Sequence, residues 1–280
     1  MIQKSYEDSA SLYLIPTPLG NLDDITVRSL KTLEMVDIIL CEDTRDTGRL
    51  LQQYNLKKKL MSCHEHNEEK MVDQVISMLK EGKNIGLVTD QGTPIISDPG
   101  YLMAKEVIGA GFSVIPLPGA CAFVPALIAS GIEPSPFLYY GFLNAKKSKK
   151  EKELKALSSY KETLIFYESV HRLVETLEMM LEIFGNRNIS VCRELTKIHE
   201  EFIRGKLSEV IPQIQTLKGE FVLVVEGNKE QEDYSHLTVV EHVQIYLEDG
   251  YSLNDAMKQV AKERNVSKSV IYKEYHNDRK

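Results

Sequence analysis

Short β-prone runs alternate with helical periodicities through the first half of the chain. LYLIPT (12–17), DIILCED (37–43), NIGLVTD (84–90) and SVIPLP (113–118) each end in a polar or Pro/Gly turn. Between them, TVRSLKTLEMV (26–36), EKMVDQVISMLKEG (69–82) and GYLMAKEVIGAG (100–111) carry apolar residues at i, i+3, i+4 and i+7. Alternation of this kind implies a largely parallel sheet with helices on its faces. In such sheets ligands bind beyond the carboxyl ends of the strands.

A second αβ segment begins near Glu133-Pro134-Ser135-Pro136. PFLYYGFL (136–143), ETLIFYES (162–169), NISVCREL (188–195), EEFIRGKL (200–207) and GEFVLVVEG (219–227) read as strands. The close spacing of 188–195 and 200–207 predicts an antiparallel hairpin, so this sheet is mixed. NKEQEDYS (228–235) reads as a linker, followed by amphipathic helices near 238–248, 253–263 and 267–275. Their spacing resembles a helix-turn-helix, with Ser267 capping the last helix. The predicted fold is therefore α/β: an N-terminal domain (1–132), a second α/β domain (133–230) and a helical segment (231–280).

The chain's 280 residues suffice for that organisation, at about 100–200 residues per domain. No charged residue lies between Glu106 and Glu133, a stretch long enough to span a bilayer. Gly109, Gly111, Pro116, Pro118, Gly119, Pro125 and Gly131 break it, and a spanning helix must close its hydrogen bonds along its whole length. It reads instead as a buried strand, a tight turn and a buried helix, in a soluble protein. No signal peptide opens the chain, so a reducing cytoplasm is the expected compartment. Cys41, Cys63, Cys121 and Cys192 form no CxxC pair, so neither a metal site nor a disulfide framework is indicated. The net charge of −7 argues against a protein that simply coats nucleic acid. A local basic patch is present in KKSKKEKELK (146–155), six lysines against two glutamates, which reads equally as a solvated helix lead-in.

Five loops fall just after predicted strands: PTPLGNLDD (16–24), CEDTRDTGR (41–49), TDQGTPIISDPG (89–100), PLPGACA (116–122) and YESVHR (167–172). None is a dinucleotide fingerprint or a P-loop. Gly92 permits a close backbone approach to a ligand, while Asp98-Pro99 has the residue types of a capped helix start. Glu42 and Asp43 stand beside Arg45, and on a helix Arg45 and Arg49 share a face. The two histidines of HEHN (64–67) lack a third metal-ligand position and fit a polar rim.

PTPLGNLDDIT, EDTR, VTDQGTPIISDPG, PGACA, the Gly141-Phe142 pair, YESVHR, CRELTK and GEFVLVVEG occur in the order found in the tetrapyrrole methylase superfamily. The chain resembles that family over about residues 11–228, and within it the members that modify small-subunit ribosomal RNA. The resemblance implies a tetrapyrrole-methylase-like fold, a dimer, S-adenosylmethionine in a cleft between domains, and methylation of a cytidine ribose 2′-OH in 16S rRNA, with the 30S subunit as the expected setting. It implies donor contacts by Pro18, Gly20, Asp90, Gly92, Thr93, Pro94, Ile95, Ala120, Cys121, Ala122 and Leu143. This chain departs from the family pattern at Thr89, Gln91 and Cys121, which puts side-chain hydrogen bonds there in doubt.

For chemistry, Glu42, Asp43, His66 and Glu168 are candidate bases, with Glu42, Arg45 and His66 preferred. Arg28, Arg45, Lys146, Lys147, Lys149 and Lys150 are the expected RNA contacts. A tetrapyrrole or corrinoid-precursor methyltransferase is the alternative within the family. A DNA-binding regulator is the alternative of another class, but residues 235–280 balance seven basic with seven acidic side chains, a poor phosphate footprint.

Overall fold

A computed structural model describes residues 2–5, 9–64, 66–229, 234 and 237–277. The chain divides into two compact units, one up to Asn228 and one from Lys229 onward. The predicted linker, 228–235, lies largely outside the described residues.

The first unit holds two five-stranded sheets. In the first, β1 (Ser11–Leu14), β2 (Ile38–Cys41), β3 (Lys59–Ser62), β4 (Ile85–Leu87) and β5 (Ser113–Pro116) are all parallel, in the order β3-β2-β4-β1-β5. The crossovers are α1 (Val27–Met35), α2 (Thr44–Gln53), α3 (Glu68–Lys80) and α4 (Tyr101–Gly109). Pleat alternation explains why DIILC is apolar throughout. Ile38 and Leu40 pack with Val75 and Leu79 of α3 and Met103 and Val107 of α4. Ile39 and Cys41 face the other way, against Leu33 of α1 and Leu51 of α2. Each such buried aliphatic side chain contributes roughly 1.5–3 kcal/mol.

Two elements differ from the sequence reading. β3, KLMS, is an edge strand with half-exposed residues, so it lacks the apolar run that marks a central strand. Asp98 does not cap α4. That helix starts at Tyr101 from Gly100, at φ +121° with no side-chain cap, and a Cβ there would lie 2.6 Å from Leu87 Cδ2. Asp98 turns back to Thr89 instead, whose Oγ1 donates to its Oδ1 at 2.7 Å.

The second sheet has the order β6-β7-β10-β8-β9, from β6 (Phe137–Phe142), β7 (Thr163–Ser169), β8 (Asn188–Arg193), β9 (Glu201–Lys206) and β10 (Glu220–Val225). β6 and β7 are parallel and the other pairs antiparallel, including the predicted β8–β9 hairpin. α6 (Lys147–Leu157), α7 (Leu173–Phe184) and the short α8 (Leu207–Val210) cover one face. The uncharged run 107–132 supplies β5, the PGACA turn and α5 (Phe123–Ala129). Ala126 and Leu127 of α5 pack on Ile165, Val222 and Val224 of the second sheet. The run is apolar because it ties one sheet to the other.

The unit after Asn228 contains α9 (Val239–Glu248), α10 (Leu253–Glu263) and α11 (Lys268–Asn277) around Val243, Met257, Val260 and Ile271. Thr238 with Glu241 forms a capping box at α9, and Ser252 caps α10. Ser267 stands just before α11, with its hydroxyl 2.8 Å from that of Ser269. Among the described residues no helix is long and apolar enough to cross a membrane.

Candidate active site

The loops that leave the carboxyl ends of the parallel strands are stitched together by their own polar groups. Thr17, after β1, pairs with Gly92: Thr17 N donates to Gly92 O at 2.9 Å and Gly92 N to Thr17 O at 3.0 Å. Gly92 has φ +82°, and a Cβ there would lie 3.1 Å from the Leu19 side chain. Thr93 Oγ1 donates to Ala120 O at 2.8 Å, joining this loop to the PGACA turn. Thr17 Oγ1 reaches Thr89 O at 3.1 Å. Ile95 and Ser97 adopt positive φ, 77° and 63°. For a β-branched residue that conformation costs about 1–3 kcal/mol, and such strain concentrates at functional sites.

Next to this loop, Asp43 caps α2, accepting from Arg45 N at 2.7 Å. The Arg45 guanidinium folds onto the same carboxylate, Nη2 to Oδ2 at 2.6 Å, and holds Asp43 far below the usual carboxylate range. Arg49 pairs with Asp46 at 3.0 Å. Asp43 N donates to Asp90 Oδ1 at 3.4 Å, and burial raises the Asp90 pKa, with Asp46 and Asp43 adding to it. The HEHN segment follows the adjacent strand. Cys63 N donates to Cys41 O at 2.8 Å, Ser62 Oγ to Glu42 O at 3.3 Å, and His64 N to Asn67 Oδ1 at 2.8 Å. EDTR and HEHN are therefore neighbours, with Glu65 outside the described residues.

These loops form one wall of a cleft of about 510 Å³, and the second sheet forms the other. Of the candidate residues, Glu42, Asp90, Gly92, Thr93, Cys121, Ala122 and Glu168 line it. Arg45, His66 and Arg28 are exposed and are not among the lining side chains. Pro18 and Pro94 are buried beneath the loops, and Ala120 contributes the carbonyl bound by Thr93. Ile95 packs against Gly100 rather than into the cleft. Gly20 is required by packing, since a Cβ there would meet Lys197 Cγ at 2.3 Å.

Two of the expected contacts take other roles. Leu143 is buried in the core of the second sheet, and its carbonyl accepts from Arg172 Nη2 at 2.6 Å. Lys150 is fully buried rather than offered to RNA. Its Nζ lies 3.0 Å from Glu175 Oε2 and 3.0 Å from Thr176 Oγ1. Thr176 Oγ1 in turn donates to Glu168 Oε2 at 2.7 Å, and Arg172 Nε lies 3.3 Å from Glu168 Oε1. Glu168 is thus locked by surrounding donors, which removes it as a mobile base. The spacing of Lys150, Leu154 and Leu157 at i, i+4 and i+7 is the signal that marks Lys150 as inward-facing.

The second wall is largely new relative to the sequence reading: Phe142, Tyr167, Leu195, Gly219, Glu220, Phe221 and Val222, with Leu19, Gln91 and Ile96 opposite. Ser97 Oγ meets Tyr139 Oη at 2.7 Å across the two sheets. Burial pushes the Tyr167 hydroxyl up, with Tyr139 and Cys121 contributing. Cys121 is also raised by burial. The lining carries Glu42, Asp90, Asp98, Glu168 and Glu220 but no lysine or arginine. Among the described residues no group of three or more His, Cys, Asp or Glu is placed to hold a metal ion.

A parallel α/β lobe and a mixed one, meeting over a cleft at the strand ends, define a two-lobed α/β fold. The same fold occurs in uroporphyrin-III-C-methyltransferase from Thermus thermophilus, with TM-score 0.56 and 21% identity over 78% of this chain and 94% of that one. It occurs too in cobalt precorrin-4 methyltransferase, a cobalamin biosynthetic enzyme, with TM-score 0.56, 19% identity and coverage of 77% and 94%. The chain belongs to the tetrapyrrole (corrin/porphyrin) methylase family, whose model matches residues 11–211. It is 50% identical over 277 residues to ribosomal RNA small subunit methyltransferase I of Bacillus subtilis (strain 168), covering 96% of this chain and 95% of that protein. To the proteins of the same name from Halalkalibacterium halodurans and Escherichia coli O157:H7 it is 47% and 40% identical, with coverage of at least 96% on both sides.

Proposed function

We propose that this chain transfers a methyl group from S-adenosylmethionine to the ribose 2′-OH of a cytidine in 16S ribosomal RNA. The observation that carries the reading is a cleft at the strand ends, lined by Glu42 of EDTR and by the TDQGTP loop, in a chain 40–50% identical over nearly its whole length to proteins named for small-subunit rRNA methylation. Apolar Leu19, Ile96, Phe142, Val170 and Phe221 suit a nucleoside, and the five lining carboxylates suit a cationic sulfonium and ammonium. Bound there, the donor supplies a methyl that is already activated.

The protein's own work is to orient the acceptor and take up its proton. Orientation alone supplies roughly 7–11 kcal/mol in favourable cases. Glu42, which lines the cleft, is the assigned base, and its neighbours Arg45 and His66 complete the cluster. Arg28, Arg45, Lys146, Lys147 and Lys149 are assigned to RNA phosphates; Lys150 is not. The reading extends to a cytoplasmic homodimer acting on the assembled 30S subunit.

A tetrapyrrole acceptor would have to bring its own carboxylates next to Glu42, Asp90 and Glu220. An RNA acceptor brings only a ribose hydroxyl inward and leaves its phosphates at the exposed arginine and lysines. Labelled donor incubated with purified 30S subunits or with a precorrin-type ring separates the two. Label is expected on 16S rRNA alone; label on the ring alone would overturn the proposal.

A further inference from the structure

One lysine ties the two lobes together beside the cleft. Lys197 sits in the CRELTK turn between β8 and β9, with Nζ 2.8 Å from Glu220 Oε2 and 3.2 Å from Glu194 Oε1. The same Glu220 oxygen accepts from the Gln91 amide at 3.1 Å, and that amide also donates to Leu19 O at 2.9 Å, oriented by these partners. Leu19, Gln91 and Glu220 all line the cleft. A continuous polar chain thus runs from the second lobe, through Lys197 and Glu220, to two loops of the first.

The lysine's aliphatic stem makes a second crossing. It lies on Gly20, where a Cβ would stand 2.3 Å from Cγ and 2.9 Å from Cε, so only glycine leaves room. The turn is shaped at a cost to hold it there. Glu194 and Thr196 both occupy the left-handed region, at φ 50° and 66°, which non-glycine residues adopt only when their surroundings impose it. Glu194 in turn covers Gly219, where a Cβ would approach its Oε1 to 2.6 Å. Burial pulls the Lys197 pKa down, but Glu220 and Glu194 outweigh it, so the ammonium stays charged. An exposed ion pair contributes little; here the Lys197 side chain is about three-quarters buried, at 24% exposure, while Glu220 is the more open partner. The pair lies within the second lobe, where it holds the Glu220 carboxylate in place for its crossing contact with Gln91.

We propose that Lys197 is a positioning residue that latches the two lobes across the cleft and so retains the methyl donor during turnover. This rests on the donor reading above. The cleft's walls come from different sheets, so its width, and with it the donor's escape rate, depends on what joins them.

Four variants test the latch by stopped-flow measurement of S-adenosylmethionine dissociation. Lys197→Met keeps the stem and removes the charge. Lys197→Arg restores the charge, Gly20→Ala displaces the stem, and Gln91→Leu cuts the bridge from the other lobe. Lys197→Met is expected to speed dissociation about tenfold, since affinity changes fall mainly on the off-rate. Its kcat at saturating donor stays within about threefold, the split expected when binding rather than the transition state is affected. Lys197→Arg recovers most of the loss, Gly20→Ala and Gln91→Leu reproduce it, and the Gly20→Ala/Lys197→Met double variant is no worse than either single one. Wild-type dissociation in Lys197→Met, an equally fast Lys197→Arg, or multiplying effects in the double variant would each overturn the latch. A wild-type chain that binds no donor would overturn the donor reading and the latch together, whereas donor binding unchanged by every variant would overturn the latch alone.

Discussion

The cleft has a carboxylate–cation cluster on each side, and the two differ in almost every physical respect. On the first lobe, Asp43 and Arg45 form a bidentate pair at the start of α2, with the Arg45 side chain 81% exposed. On the second, Glu168 is closed off from solvent, held by Thr176 and Arg172, with buried Lys150 behind Thr176. Water screens the first pair, so it stays rearrangeable and can trade its carboxylate for a phosphate. The second has no such alternative: an unpaired charge there costs several kcal/mol, so it serves as scaffold. A single EDTR-type motif looks the same on the page whether it is surface chemistry or buried frame; burial decides.

That contrast can be broken at several points. The largest effect is expected at Glu42: Glu42→Ala removes the assigned base and lowers methylation of 30S subunits about 10²–10⁴-fold, with donor affinity within a few-fold by calorimetry. A wild-type rate would remove Glu42 from catalysis. On the buried side, Glu168→Ala leaves the Thr176 hydroxyl without its acceptor and Arg172 without its buried counter-charge, and is expected to lose roughly 3–5 kcal/mol in urea denaturation. Arg45→Ala, by comparison, should leave the unfolding midpoint where it was while abolishing methylation, with donor affinity within a few-fold.

Smaller effects sharpen the same division. Lys147→Ala should weaken 30S binding and reduce the salt slope by about one, as losing a phosphate contact does. Lys150→Met, three positions further on, should leave both unchanged and show itself only as a modest loss of stability. The smallest effect concerns Asp98, whose pKa is raised by burial, opposed by the Thr89 hydrogen bond. A raised carboxyl folds without penalty when protonated, and the penalty for ionising it grows as pH rises through and above the ordinary range near 4. Asp98→Asn keeps an acceptor for Thr89, so it should gain stability relative to wild type between pH 3 and pH 7. An opposite drift would mean that the folded state favours the ionised carboxylate.

Much of the first lobe was legible because a βα repeat writes each site loop directly after its strand. TDQGTP, EDTR, HEHN and PGACA are local words, and the parallel sheet brings their strand ends together automatically. β3 escaped notice because an edge strand buries too little to need an apolar run. Asp98-Pro99 misled because Asp can cap a helix or fold back on a neighbouring hydroxyl, and only the loop's closure on Thr89 chooses. The second wall was illegible for a different reason. Phe142, Tyr167, Leu195, Glu220 and Phe221 come from three strands and a turn spread over 80 residues of sequence, and no spacing rule relates them.

By itself, then, the sequence determined the βα alternation of the first lobe, the strands of the second, the two-lobed α/β class and the family, because periodicity and strand-end motifs are local properties. The tertiary structure decided which charges are buried and paired and which stay exposed. Lys146, Lys147, Lys149 and Lys150 are indistinguishable as letters, yet Lys150 is turned inward beside Leu154 and Leu157, and its ammonium is neutralised against Glu175. Lys197 sits in an unremarkable turn, yet long-range pairing sets it between Glu220 and Gly20. Desolvation and distance make that difference, and both are properties of the folded chain.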